Sequence, residues 1–465
     1  MLFKFHRQGL SPLTIIPCIF GGIHCRILIP ACAALIIILS SMHLHPPFRA
    51  EHIGSLKRPA VLLQKRKELD ERKITQEELT AAEDKAIDAI VQMQWDVGMK
   101  AITCGEFRRH MFFDGVFDNM EGMKFIADVP LYMFMVCSID LSLSLRPLMK
   151  NAARHTQEYV PDTAAFKIAS FKKASSFICE SKLRRTKPFY KAQFEYLKKI
   201  SPPEDVKNIK ITMCAPEWFH LRHGPYAYNK EVYKNDEEYF ADIAIAYQEE
   251  IKELHSLGCR NIQFDDPLLA YFCADSMISG MTEQGLNPEA MLDLYIKTYN
   301  DCLKGRSADM NVGVHLCRGN FKDGRHFAEG GYDRIAVKLF NELRVDCYYL
   351  ASNFLTQLEY DTERAGTFEP LKYLPKDKVV ILGLVTSKFP QLEDIEELKR
   401  RVDQAAETIA QGVEPRSKAE ALNQICISPQ CGFASHSEGN AVTEDDVVKK
   451  LSLLVRTAKE IWPDA

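Results

Sequence analysis

Past about residue 46 the chain alternates short runs of apolar and β-branched residues with long amphipathic segments. The runs at 101–104, 164–168, 209–214, 261–264, 312–316, 345–350, 379–384 and 423–427 read as strands. Between them lie helical patterns, clearest over 239–257, where Phe240, Ile243, Tyr247, Ile251 and Leu254 fall at spacings of three and four and Gly258 supplies the stop. The final helix opens on Thr443-Glu444-Asp445-Asp446, a capping-box start with acids in the first turn, and carries Val447, Leu451, Leu454 and Ile461 inward. Strands that are apolar throughout, each followed by a helix, predict a parallel sheet covered by helices. No glycine-rich phosphate loop follows any strand, so the pattern predicts an α/β fold of the closed (β/α)8 TIM barrel type over an open nucleotide-binding sheet.

Two stretches break the rhythm and read as insertions, one near 136–157 and one at 351–357. The first 45 residues stand apart as well: Lys4 and Arg7 precede an almost wholly apolar run from Ile27 to Leu39. That run is shorter than the ~20 residues that span a bilayer, and Arg26 and Pro30 oppose lengthening it. It reads as a targeting segment, an interfacial or disordered extension, or sequence upstream of a natural start at Met42, and the last is preferred. The expected organisation is an apolar extension over 1–45 and one barrel over 46–465.

Composition narrows the partners. The chain has 465 residues, 46% apolar and 26% charged, with a net charge of −4 and no long basic run, which argues against nucleic acid. Fourteen cysteines without a Cys-x-x-Cys pair do not resemble the disulfide framework of a small secreted domain. Reduced thiols and a cytoplasmic location are expected, with no membrane partner for the barrel.

Candidate chemistry gathers where strands end, the functional face of such a barrel. In Val312-Gly313-Val314-His315-Leu316-Cys317, His315 and Cys317 stand two apart and so project from one face of the strand. Imidazole nitrogen and thiolate sulfur are preferred zinc donors, although one such pair is also ordinary packing. Glu359 and Cys431 downstream offer third and fourth ligands. Glu106, Trp218 and the Asp265-Asp266 pair follow other strands; the aspartates serve equally as a helix cap and Trp218 as loop core.

Five ordered motifs, Phe48-Arg49-Ala50-Glu51-His52-Ile53-Gly54-Ser55, Gly105-Glu106, Gln263-Phe264-Asp265-Asp266-Pro267, His315-Leu316-Cys317 and Pro429-Gln430-Cys431-Gly432, resemble the catalytic domain of cobalamin-independent methionine synthase. The resemblance covers about residues 46–465 apart from the two insertions. It implies a barrel holding zinc through His315, Cys317, Glu359 and Cys431. It implies further that Ser55, Glu106 and Asp265 hold the amino acid part of homocysteine, and that Trp218 lies near the pterin of a methylated folate donor. The activity so implied is methyl transfer from 5-methyltetrahydrofolate to homocysteine, giving methionine; transfer involving another small thiol, or a non-catalytic zinc barrel, are the alternatives. A zinc site with two thiolates and a carboxylate is net negative, which leaves electron density on a bound substrate sulfur and suits alkyl transfer to it. The chain departs from the long enzymes of that family in having no length for their second, N-terminal barrel. It also carries Lys388 where they place an acid-catalytic histidine, so Lys388 is the expected group that protonates a leaving amine or holds an anion. Its ordinary pKa of about 10.4 suits acid catalysis at neutral pH only if burial lowers it.

Overall fold

The structure, a computed structural model, describes residues 13–20, 23–30, 43, 45–130, 173–283, 285–320, 328, 330–351, 366–436 and 439–465, with backbone alone for 13–20, 23–30, 130 and 173–175. Ten strands are described: β1 (Leu13–Phe20), β2 (Ile23–Pro30), β3 (Met120–Pro130), β4 (Lys173–Arg185), β5 (Lys210–Cys214), β6 (Asn261–Asp265), β7 (Asn311–Leu316), β8 (Cys347–Ala351), β9 (Val379–Val385) and β10 (Ile425–Pro429). Strands β5 to β10 lie side by side in chain order, all parallel. Their residues are buried on both faces, Asn311 alone being half-buried, which is why they read as continuous apolar runs.

Two further segments close the wall. Residues 49–54 join β10, with Glu51 N–H donating to Ile427 O at 2.8 Å and Ile427 N–H to Arg49 O at 2.9 Å. Residues 101–104 join β5 through Lys210 N–H to Ile102 O at 2.8 Å and Ile102 N–H to Asn208 O at 3.2 Å. These two segments meet each other where Thr103 Oγ1 donates to Gly54 O at 2.8 Å and Leu56 N–H to Gly105 O at 3.1 Å. The result is the expected (β/α)8 barrel. Its first wall position, 49–54, escapes a search for apolar runs because its polar side chains are neutralised inside: the Glu51 carboxylate meets Lys210 Nζ at 2.9 Å with both side chains fully buried. The run at 164–168 lies outside the described residues.

Between the second and third wall positions the chain makes an antiparallel ribbon, β3 against β4. Its base is tied to the barrel: Glu250, fully buried on the Asp236–Leu257 helix, accepts from Arg185 Nε at 2.8 Å and from the Phe189 and Tyr190 N–H groups at 2.9 and 2.8 Å. The insertion expected near 136–157 falls between the ribbon's arms and outside the described residues, as does the one expected at 351–357 beyond its first residue, Ala351, which ends β8. In the N-terminal extension β1 and β2 pair with each other antiparallel. His43 is buried under the barrel, its ring nitrogens 2.6 Å from Pro47 O and 2.7 Å from Asn423 O.

The helices follow the pattern that predicts them. Phe240, Ile243, Tyr247, Ile251 and Leu254 are buried on the Asp236–Leu257 helix, which ends at left-handed Gly258. The last helix, Glu444–Ile461, has a complete capping box between Thr443 and Asp446; Val447, Leu451 and Leu454 are buried and Ile461 half-buried. Among the described residues no helix is long and apolar enough to cross a membrane.

Candidate metal and amino-acid site

The C-terminal ends of the wall gather the predicted residues. His315 is the fifth residue of β7 and Cys317 follows its end, so the period-two geometry of a strand sets both on the barrel side. Cys431 follows β10. One ligand atom from each of these three buried residues lies within 4.8 Å of the others. The fourth expected ligand, Glu359, lies outside the described residues.

The donor set fits a zinc ion. His315 Nδ1 faces Asp265 Oδ1 at 3.0 Å, so the carboxylate accepts from Nδ1–H and Nε2 is the nitrogen left to face a metal. Nε2 is buried and has no hydrogen-bond partner among the described residues, a cost that a metal bond would remove. Burial pulls the His315 pKa down, but the sulfur of Cys317 and the carboxylate of Asp265 outweigh it and lift it to about 10. The Cys317 thiol is pushed well above its ordinary value by its hydrogen bond with Cys431 and by burial. Two thiols and an imidazole crowded together without a cation hold protons that a metal would displace.

Asp265 joins this cluster to a second one. Its Oδ1 also accepts from Gln263 Nε2 at 2.7 Å, and its charge is felt at Glu106. Glu106 sits at φ 60 directly after left-handed Gly105; apart from Arg72 it is the one non-glycine residue with positive φ among those described. Such strain persists where surrounding structure holds a side chain in place. Glu106 Oε1 accepts from Thr212 Oγ1 at 2.7 Å and Arg109 Nη1 at 3.4 Å, whereas Oε2 is buried without a partner among the described residues. Burial raises its pKa; Arg109 opposes the rise and the Asp265 carboxylate adds to it. An ammonium group beside the two carboxylates would satisfy Oε2 and relieve their repulsion.

Ser55, buried at the end of the first wall segment, meets the loop that carries Cys431: Phe433 N–H donates to Ser55 O at 3.0 Å. Trp218, just after β5, packs on Phe112 and Phe113 with ring centroids 5.0 and 5.1 Å away, and its indole N–H is buried without a partner among the described residues. Lys388, beyond β9, is buried and donates from Nζ to Gly319 O at 3.3 Å, which ties it to the segment following Cys317. The two readings of Asp265-Asp266 divide between the residues. Asp265 faces the site, while Asp266 Oδ1 caps the following turn by accepting from Leu268 N–H at 2.8 Å and Leu269 N–H at 3.0 Å.

A profile of the family described as "Cobalamin-independent synthase, Catalytic domain" matches residues 227–460, half of the chain. The chain belongs to this family. The protein YxjH of Bacillus subtilis, itself uncharacterized, is 31% identical over 90% of this chain and 95% of its own length. A methionine synthase of Saccharolobus solfataricus is 23% identical over 86% of this chain and 95% of its own. Among solved structures, a Listeria monocytogenes protein provisionally named a vitamin-B12 independent methionine synthase superposes with a TM-score of 0.61 at 26% identity, covering 90% of this chain and 99% of that one.

Several residues that shape the cobalamin-independent synthase site escape a motif search. Arg58 donates to Ala434 O and His436 O at 2.9 Å, to Glu106 O at 3.1 Å and to Arg109 O at 2.9 Å, stapling the loop after Cys431 to the turn of Glu106. Asn320 donates to Gly432 O at 2.8 Å. Gln263 carries a signal: it stands two before Asp265 on one strand and so shares its face. Arg58 and Asn320 carry none, since they act on backbone carbonyls brought together by the fold.

Gly432 is the tightest point of the site, because a Cβ there would lie 1.8 Å from Ser55 Oγ. Gly432→Ala is expected to push Ser55 and the Cys431 loop apart, costing about 1–3 kcal/mol of stability as overpacking does. Thermal melting together with zinc affinity by chelator competition checks this, and unchanged values in both would show that the loop yields freely.

Proposed function

We propose that this cobalamin-independent synthase is a zinc-dependent methyltransferase that moves the methyl group of 5-methyltetrahydrofolate to the thiol of homocysteine, forming methionine. The observation that carries the reading is Asp265, whose carboxylate bonds the imidazole of a His-Cys-Cys cluster and also acts electrostatically on Glu106, the carboxylate with a partnerless oxygen. A thiol-seeking centre and an ammonium-seeking centre thus share one residue, which matches a small amino acid bearing a thiol. The methionine synthase names of the Saccharolobus and Listeria relatives support the same choice.

In this reading His315 Nε2, Cys317 Sγ and Cys431 Sγ hold the metal, with Glu359 as the fourth ligand. Zinc bound there supplies the Lewis acidity that lets a substrate thiol persist as thiolate at neutral pH. Glu106 and Asp265 accept hydrogen bonds from the substrate ammonium, and Ser55 orients the same amino acid end. Trp218 offers an aromatic face to the pterin. The sulfur attacks the methyl carbon as the bond from carbon to N5 of the folate breaks; the thiol has lost one proton and the departing nitrogen takes one up. Lys388 is the buried cation assigned to that end of the reaction, either as proton source or as the charge that holds the donor.

A series of thiol acceptors tests the reading. Homocysteine is expected to exceed a thiol of equal length lacking the amino group by about a hundredfold or more in kcat/KM, the scale of two charge-assisted hydrogen bonds in a buried site. Equal rates would move the assignment to another small thiol.

A further inference from the structure

Behind the wall, on the side of β6 away from the site, two buried carboxyl groups meet with no cation between them among the described residues. Glu217, the residue before Trp218, is fully buried, and neither of its carboxyl oxygens has a donor partner from another residue among those described. Its side chain lies within hydrogen-bonding reach of Asp266. Asp266 is well supplied: Tyr299 Oη donates to Oδ2 at 2.7 Å, and Leu268 and Leu269 N–H donate to Oδ1 at 2.8 and 3.0 Å. The titratable groups facing Glu217 are Asp266, Tyr299 and Cys302 from the Pro288–Cys302 helix, Tyr247 from the Asp236–Leu257 helix, and Cys214 from β5. None of them is positively charged, and the guanidinium of nearby Arg222 lies over the Trp218 ring at 5.2 Å.

Two carboxylates cannot both ionise in such a place, and the one rich in donors keeps the charge. We propose that Glu217 retains its proton and donates it to Asp266, so that the pair latches the Trp218 turn to the strand end bearing Asp265 and contacting His315. The contact is direct, since Asp266 N–H donates to His315 O at 2.9 Å. Glu217 is therefore a positioning residue: its hydrogen bond sets Asp266, and Asp266 sets the backbone of one proposed metal ligand and of the carboxylate that orients its ring. Burial first, then the Asp266 carboxylate, push the Glu217 pKa well above its ordinary value, in keeping with the retained proton. The proposal rests on the site reading above only for the consequence to metal binding.

The sign of the pH effect is fixed. The folded chain holds a proton that an unfolded glutamate releases near its ordinary pKa, so this group's contribution to stability is complete at acid pH and is lost as pH rises. Glu217→Gln keeps a donor for Asp266 and has no proton to lose. The melting temperature of full-chain E217Q should therefore gain on wild type as pH is raised from about 5 to about 9. The infrared difference between wild type and E217Q at neutral pH should contain the carbonyl stretch of a buried carboxylic acid present in wild type alone, over any band that Glu106 contributes to both. E217Q should bind zinc as wild type does in chelator competition, whereas Glu217→Ala, which leaves Asp266 without this donor, should bind it about tenfold more weakly, the lower end for loss of a ligand's outer partner. A constant melting difference across pH, no acid band lost between wild type and E217Q, or E217A binding zinc as wild type does would each overturn the latch. Should wild type bind no zinc, the site reading fails alone, because the infrared and melting results still judge Glu217.

Discussion

Cys317→Ser is expected to strip the metal from this protein, taking zinc content from about one per chain to a small fraction of that after equilibration with a chelator. A serine hydroxyl does not ionise at neutral pH and is a poor donor to a borderline-soft cation, so a thiolate is replaced by something close to a vacancy. The affinity loss should exceed the ten- to hundredfold, or about 1.4–2.7 kcal/mol, that accompanies loss of a ligand's outer partner. Cys426→Ser is the matched control. Its sulfur is also buried at the barrel's heart, but it faces His43 Nδ1 at 3.5 Å, away from the His315, Cys317 and Cys431 cluster. Metal analysis of both variants beside wild type separates a ligand from a bystander: equal zinc in C317S and C426S would remove Cys317 from the ligand set.

Asp265→Ala should produce the largest loss in turnover that leaves the barrel folded. The substitution removes the acceptor for His315 Nδ1–H and for Gln263 Nε2, and takes away one of the two carboxylates proposed to hold the substrate ammonium. A buried charge-assisted hydrogen bond contributes about 1.5–3 kcal/mol, so a loss of about 10- to 150-fold in kcat/KM for homocysteine is expected. Zinc affinity should fall with it by about tenfold or more, since the imidazole loses its orienting partner. Kinetics and chelator competition on one preparation read both effects. Loss of turnover with unchanged zinc affinity would confine Asp265 to the substrate and break the link between the two halves of the site.

The contrast between what the chain discloses and what it conceals follows from which forces act locally. All the wall positions but the first announce themselves, because strands covered on both faces must be apolar along their length, as in Val379–Val385. The first, 49–54, does not, because Arg49, Glu51 and His52 take partners far away in sequence, Lys210 among them. The ribbon of β3 and β4 is equally silent: its register depends on pairing across more than forty intervening residues, and nothing in either arm alone states its partner. At the site, His315 and Cys317 are legible from strand period, and Gln263 with Asp265 from the same rule. Cys431 enters through the motif around it, since a contact across more than a hundred residues leaves no periodic trace. The Asp265-Asp266 pair is ambiguous as sequence because adjacent residues on a strand end face opposite ways, and here each way has its own use.

The proposed reaction carries a methyl group to the sulfur of homocysteine at a metal centre held by the Cys317 and Cys431 sulfurs. An assay of that reaction incubates the zinc-replete chain with homocysteine and 5-methyltetrahydrofolate labelled in the methyl carbon, and follows the label by mass spectrometry. Labelled methionine and demethylated folate are expected in equal amounts, both abolished by Cys317→Ser. Folded, zinc-loaded protein that yields no labelled methionine from this pair would contradict it.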